Sequence, residues 1–166
     1  HYVGVAWYQK KVTIPADWKG ERITLFLERP HIETTVWVNQ QELGMQNSLC
    51  VPHVYDLTAA TTPGKTYLIT IRIDNRIKEI NVGPDSHSIT DQTQGNWNGI
   101  VGRIELQATP KVHLEDIQVY PDLSNQKALV RMNIRSASST KGEITLSAAS
   151  FNTDIQHKVA PIHQSF

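Results

Sequence analysis

The sequence predicts an all-β protein with a β-sandwich at its heart, on three observations. Short segments rich in β-branched and aromatic residues follow one another in order, each bounded by turn residues. Almost nothing in the chain carries the periodicity of an amphipathic helix. A break at Pro110 separates a long series of such segments from a shorter one.

Trp7 to Pro15 opens the first series. Ile23 to Glu28 and Thr35 to Asn39 follow, set off by turn signals at Trp18-Lys19-Gly20, Arg29-Pro30 and Asn39-Gln40-Gln41. Pro52 to Thr58 comes next, and Asp56-Leu57-Thr58-Ala59-Ala60 reads either as one helical turn or as a loop. After the Pro63-Gly64-Lys65 turn, Tyr67 to Asn75 alternates: Tyr67, Ile69, Ile71 and Ile73 share one face, Thr70 and Arg72 the other. That is the pattern of a half-buried strand. Asn96 to Leu106 closes the series.

Beyond Pro110, Val112 to Tyr120, Ala128 to Ile134 and Glu143 to Ala149 read as strands, with residues 155–160 as a further one. The spacing suits an immunoglobulin-like sandwich, which needs about seven strands. The expectation is therefore one domain over residues 1–110 and the N-terminal part of a truncated immunoglobulin-like domain over residues 111–166, in a chain that is a fragment. Open strand edges near Val130 and Ile144 invite pairing between chains, so an oligomer is expected in concentrated solution.

The composition excludes some partners. Sixteen Lys and Arg balance sixteen Asp and Glu, whereas nucleic acid and anionic membranes select a positive field. No apolar run approaches the length of a membrane span. Cys50 is the sole cysteine, which rules out an intrachain disulfide and a cysteine metal cluster, and it reads as a small buried hydrophobe. The stretch from Arg76 to Asn98 differs from its surroundings, being long and rich in Asn, Asp, Gln, Ser and Gly. Connections longer than about 15 residues are usually functional or disordered. Trp97 near its end argues for a loop folded back on the protein; a plain surface loop is the alternative.

Trp7-Tyr8-Gln9-Lys10, Ile14-Pro15, Trp18-Lys19-Gly20 and Val36-Trp37-Val38-Asn39 with Gly44 stand in the order found in the N-terminal sugar-binding domain of glycoside hydrolase family 2, and the chain resembles that domain. Asp56-Leu57-Thr58, Pro63-Gly64 and Ile71-Arg72-Ile73-Asp74-Asn75 continue the resemblance. Asn98-Gly99-Ile100-Val101-Gly102-Arg103-Ile104-Glu105-Leu106 is similar to the closing strand of that domain. The family includes β-galactosidases, β-glucuronidases and β-mannosidases. The resemblance implies a jelly-roll (galactose-binding-like) sandwich, then an immunoglobulin-like domain, then a (β/α)8 barrel whose two glutamates act by a retaining mechanism. The chain has no alternating strand–helix pattern, so it lacks that barrel. It departs from the family at Asn39-Gln40, where Asn-Gly is usual; Gln40 implies another turn type or a tolerated strain.

Glycoside hydrolysis needs a facing carboxylate pair, but Glu28, Glu33, Glu42, Asp56, Asp74, Asp85, Asp91 and Glu105 are scattered, and no catalytic pair is expected. Asp56 and Asp74 stand at strand ends, where Asp fixes turns. Asp91 lies where the resemblance implies an Asp that reaches substrate hydroxyls in β-galactosidases; loop capping is its other reading. Gln94, Asn96 and Asn98 offer amides that both donate and accept. Trp97 offers an apolar face for a sugar ring, or an anchor for the loop. His87 shares the loop and is a further sugar contact. Trp7 and Trp37 read as core or inter-domain packing, and Arg103 as making a structural ion pair or hydrogen bonds. The histidines show no metal-ligand spacing, and no phosphate-binding, dinucleotide or Ser/His/Asp motif occurs, so neither metal nor cofactor is expected.

The expected function is that of a non-catalytic fragment of a retaining family 2 glycosidase, with a β-galactosidase as the expected parent enzyme. Its expected partners are a β-glycoside and the barrel of the same polypeptide, without nucleic acid or membrane, and its expected location is periplasmic or extracellular by analogy. A stand-alone carbohydrate-binding module and a purely structural interaction domain are the alternatives.

Overall fold

The computed structural model describes residues 2–49, 51–76, 78, 97–136, 138–149 and 159–166. Their regular elements are eleven strands and one 3-10 turn. Two compact units divide the chain, His1–Pro110 and Lys111–Phe166.

The first unit holds strands β1 (Val5–Thr13), β2 (Arg22–His31), β3 (Glu33–Val38), β4 (Gln41–Asn47), β5 (His53–Asp56), β6 (Thr66–Asp74) and β7 (Gly99–Thr109). They form two antiparallel sheets, of order β1-β6-β3-β4 and β5-β2-β7. The alternation in the sequence dictates which faces meet. Ile69, Ile71 and Ile73 on β6 are buried, as are Val36 and Val38 on β3. Ile23, Leu25 and Leu27 on β2 and Tyr55 on β5 meet them, with Ile14 and Leu57 closing the core. Each such side chain contributes about 1.5–3 kcal/mol by leaving water. The outer face of the four-stranded sheet carries Arg72 and Thr70, as the period of two requires.

Several local features depart from the expectations. β4 is a strand that the polar run Gln-Glu-Leu-Gly-Met-Gln-Asn does not announce; an edge strand with one partner tolerates such a sequence. It joins β3 through Asn39-Gln40, of which only Asn39 has positive φ, at 53°. Asn is among the few side chains at home there. Its Oδ1 accepts from the Leu68 N–H at 2.9 Å and its N–H donates to the Leu68 carbonyl at 2.7 Å. Gln40 thus needs no glycine-like angle. β2 runs through the expected turn at Arg29-Pro30. Pro30 fits because β5 pairs only with Thr24 to Leu27, so at Pro30 the strand has a neighbour on the β7 flank alone. Trp7 is 59% exposed, not core; its ring leans on Trp37 at 5.5 Å on the outer face of the sheet.

The closing strand contains a bulge. Leu27 opposes Ile104 and Arg29 opposes Val101, so Gly102 and Arg103 face Glu28 together. Gly102 has φ of 92°, and a Cβ there would come within 2.6 Å of the Glu28 carboxylate. Glu28 accepts from both the backbone N–H and Nε of Arg103 at 3.0 Å, the structural ion pair expected of Arg103.

The second unit holds two hairpins: β8 (His113–Asp122) with β9 (Lys127–Arg135), and β10 (Glu143–Leu146) with β11 (Ile162–Ser165). The last strand follows Pro161; of the segment 155–160 expected to be a strand, residues 155–158 lie outside the described residues and 159–160 are unpaired. Leu114 opposes Ile134, Ile117 opposes Met132 and Val119 opposes Val130, which puts six apolar side chains on one face. None of the unit's described residues is buried. Leu114, Ile117 and Val119 remain 45%, 54% and 61% exposed. We expect concentration-dependent association of the chain in sedimentation equilibrium, weakened by Val119→Lys. A monomer at every concentration would contradict this.

Candidate functional site

The two ends of the polar segment 76–98 are held together at one end of the sandwich. β6 delivers Asp74, Asn75 and Arg76 there, because it pairs with β1 on one flank and β3 on the other up to Asp74. β7 begins there at Gly99, opposite His31. Between His31 and Glu33 the chain also passes from one sheet to the other, and the Ile32 N–H donates to the Asp74 carbonyl at 3.2 Å.

Side chains clamp this junction. His31, 1% exposed, stacks its imidazole on the Trp97 indole at 4.6 Å and bonds through Nδ1 to the Trp97 carbonyl at 2.8 Å. Asn75, fully buried, donates from Nδ2 to the carbonyls of Trp97 at 3.1 Å and Tyr2 at 2.9 Å, while its Oδ1 accepts from the Gly4 N–H at 2.8 Å. Asn98 Nδ2 donates to the Gly4 carbonyl at 2.8 Å. The Asn98 Oδ1 is buried and has no hydrogen-bond partner among the described residues. Buried amides must find partners to avoid a desolvation penalty, so these bonds fix where Trp97 stands. Its indole has one face on His31, and the residue as a whole is 37% exposed.

An ionic cluster lies beside the clamp. Asp74, with a side chain at 0% exposure, accepts from Arg76 at 2.7 and 2.9 Å and from Arg72 at 2.9 Å, with Lys78 Nζ at 2.9 Å. Glu33 takes Arg72 at 2.7 Å and Lys78 at 3.0 Å. The Arg76 hydrogen bonds, with Lys78 in support, overcome burial and hold the Asp74 carboxyl far below the usual carboxylate range. At Glu33 burial pushes upward, but Arg72 and Lys78 outweigh it and the net direction is downward. Deeper between the sheets, Thr34 Oγ1 meets His53 Nδ1 and the Tyr55 hydroxyl, both at 2.6 Å, and His53 Nε2 meets the Ser48 carbonyl at 3.1 Å. Burial lowers the His53 pKa, against the opposing Ser48 bond, and raises that of Tyr55.

Of the sugar-contact candidates, Trp97 and Asn98 are described: Trp97 stands at the rim of this junction, and the Asn98 Nδ2 is taken by the Gly4 carbonyl. His87, Asp91, Gln94 and Asn96 lie outside the described residues. Asp56 fixes a turn as expected, its Oδ1 accepting from the Thr58 N–H at 2.9 Å. Asp74 does more than cap a turn, since it gathers three cations. His31, Arg76 and Lys78 were not singled out as site residues from the sequence; Glu33 stood only among the scattered carboxylates and Asn75 only within a motif of the resemblance. Charges at every second position, Arg72, Asp74, Arg76 and Lys78, were the available signal. No group of three or more His, Cys, Asp or Glu among the described residues could hold a metal ion.

The shifts of His53, Asp74 and Glu33 have a common sign. His53 has a folded pKa below its ordinary 6.5, and Asp74 and Glu33 have folded values below 3.8 and 4.5. The folded state therefore binds fewer protons, and its stability falls with falling pH in both ranges. Thermal unfolding should show a shallow loss beginning near pH 6.5 and a steeper one below about pH 4. Asp74→Asn should flatten the lower arm and cost about 2 kcal/mol at pH 7. A wild-type midpoint independent of pH down to 3 would contradict the assignment.

Residues 1–110 match the family model described as "Glycosyl hydrolases family 2, sugar binding domain". A β-glucuronidase of Paenibacillus borealis is 24% identical over 157 residues, covering 86% of this chain and 26% of the relative. A β-galactosidase of Priestia megaterium is 25% identical over 124 residues, covering 75% of this chain and 11% of the relative. The solved structure of Bacteroides uniformis β-glucuronidase 2 superposes with a TM-score of 0.76 at 18% identity, over 99% of this chain and 20% of that one, and so shares the fold. The chain thus spans about a quarter or less of the length of these proteins. With its antiparallel sandwich and the matched residues 1–110, the chain belongs to glycosyl hydrolase family 2 through that family's sugar-binding domain.

Proposed function

We propose that the chain is a non-catalytic part of a longer retaining β-glycosidase, in which residues 1–110 shape the rim of the sugar site and a barrel elsewhere in the polypeptide supplies the catalytic glutamates. The observation that carries this reading is Trp97, immobilised by His31 and Asn75 yet 37% exposed at the end of the polar segment 76–98. A rigid, partly exposed indole suits the C–H face of a sugar ring. Asp91, Gln94, Asn96 and His87 are the polar contacts proposed to accompany it.

A terminal β-glucuronide is the substrate we favour, because the Paenibacillus borealis and Bacteroides uniformis relatives are β-glucuronidases. A β-galactoside is the second reading, favoured by the Priestia megaterium relative and by the place of Asp91 in the sequence. The test is hydrolysis of chromogenic β-glucuronide, β-galactoside and β-mannoside by the longer polypeptide and by this chain alone. Only the longer polypeptide should be active, on one of the three. In it, Trp97→Ala should lower kcat/KM about tenfold, the scale of one lost aromatic contact. Turnover by this chain alone would refute the reading.

A further inference from the structure

Where the chain passes from β2 to β3, two neighbouring residues hold two different segments. His31 holds Trp97, and the Ile32 carbonyl accepts from the Ser48 N–H at 3.3 Å. Ser48 follows β4, which ends here because Glu33 pairs with Asn47 on one flank and with Asp74 on the other. The loop 48–52 therefore leaves the sandwich at the end that carries Trp97. It crosses from the four-stranded sheet to the other and enters β5. β5 and β7 flank β2 on opposite sides, and Trp97 leads into β7. The loop and Trp97 thus stand on either side of the same strand end.

A buried imidazole fastens this loop. His53 meets the Ser48 carbonyl through Nε2 and the Thr34 hydroxyl through Nδ1. A carbonyl only accepts, so Nε2 carries the proton and Nδ1 accepts from Thr34. The Tyr55 hydroxyl donates in turn to the Thr34 carbonyl at 2.8 Å. Both ring nitrogens are thereby used, one on the loop and one on β3. Gln46 and Val54 close the base from outside: Nε2 donates to the Val54 carbonyl at 2.6 Å, and Oε1 accepts from its N–H at 3.2 Å. Beyond these ties Val51 is 56% exposed. The loop Ser48-Leu49-Cys50-Val51-Pro52 has no charged residue. It offers apolar contact where the segment 76–98 offers amides and carboxylates.

We propose that the loop 48–52 forms a second, apolar side of the sugar rim and that His53 is the residue that positions it. This rests on the rim proposed around Trp97 and adds the residue that sets its other side. A phenylalanine would fill the same space in the core. What a neutral imidazole adds is a donor for Ser48 and an acceptor for Thr34 at once, which ties the loop to β3.

The test uses the longer polypeptide and whichever chromogenic β-glycoside it hydrolyses. His53→Phe keeps the bulk of the ring, and the freed Thr34 hydroxyl can turn to Tyr55, so the loss falls on Ser48. KM should rise about fivefold, the scale of one lost hydrogen bond, with kcat unchanged. His53→Gln restores a donor and an acceptor and should bring KM back to within about twofold of wild type. A lower thermal midpoint with KM unchanged would make His53 a core residue only and overturn the proposal. So would a KM that stays as high in His53→Gln as in His53→Phe. Val51→Ala tests the loop without touching the core: it should raise KM about threefold, the scale of one partly buried carbon, and an unchanged KM would overturn the proposal. Trp97→Ala, measured alongside, separates the two readings. A loss there with no change at His53 and Val51 overturns the second side alone, and no change at any of the three overturns the rim as well.

Discussion

The structure of the first unit depends on bringing β6 to its end without leaving a charge uncompensated. β6 is hydrogen-bonded on both flanks along its length, and it ends in an aspartate whose side chain is fully out of water. An isolated carboxylate there would cost several kcal/mol. Arg72, Arg76 and Lys78 offset that cost by converging on Asp74, and Glu33 balances the cationic excess from the neighbouring strand. Once those partners are in place, Asn75 is committed to the interior and to the carbonyls of Tyr2 and Trp97. The ionic cluster therefore sets the position of the next residue, and that residue sets the two ends of the polar segment.

The same economy links packing to the rim. His31 closes β2, lies beneath the Trp97 ring and holds its carbonyl. Its place is set by the pairing of β2 with β7, which runs past the Gly102-Arg103 bulge to Gly99. The bulge shifts the register by one residue without losing the pairing, because Glu28 satisfies the backbone N–H of Arg103. A strand irregularity, a buried imidazole and a partly exposed indole are thus parts of one arrangement, and disturbing the bulge would move the rim.

The legibility of the sequence varies with how local the cause is. β6 could be read residue by residue, since alternation of Ile with Thr and Arg is a property of the strand alone. β4 could not: Gln41–Asn47 is polar and becomes a strand because β3 offers it an edge. Pro30 looked like a turn and is strand, because pairing on one flank only removes the need for its missing N–H. Trp7 read as core or inter-domain packing, and a tryptophan on a strand is assigned to the inside or outside only by register; its register opposite Arg72 takes it out of the core.

By itself the sequence determined the all-β class, the faces of β6, the break at Pro110 and the order of motifs that marks the family, because each depends on residues near one another in the chain. It also left Trp97 two roles, an apolar face for a sugar ring or an anchor for the loop. Only the tertiary structure decided that Trp97 is held by His31 and Asn75, and that Asp74 gathers cations from its own strand end and shares two of them with Glu33 on β3. Those are meetings between strands far apart in sequence. A pattern of period two says which way a side chain points from its own strand, but not which strand lies across from it.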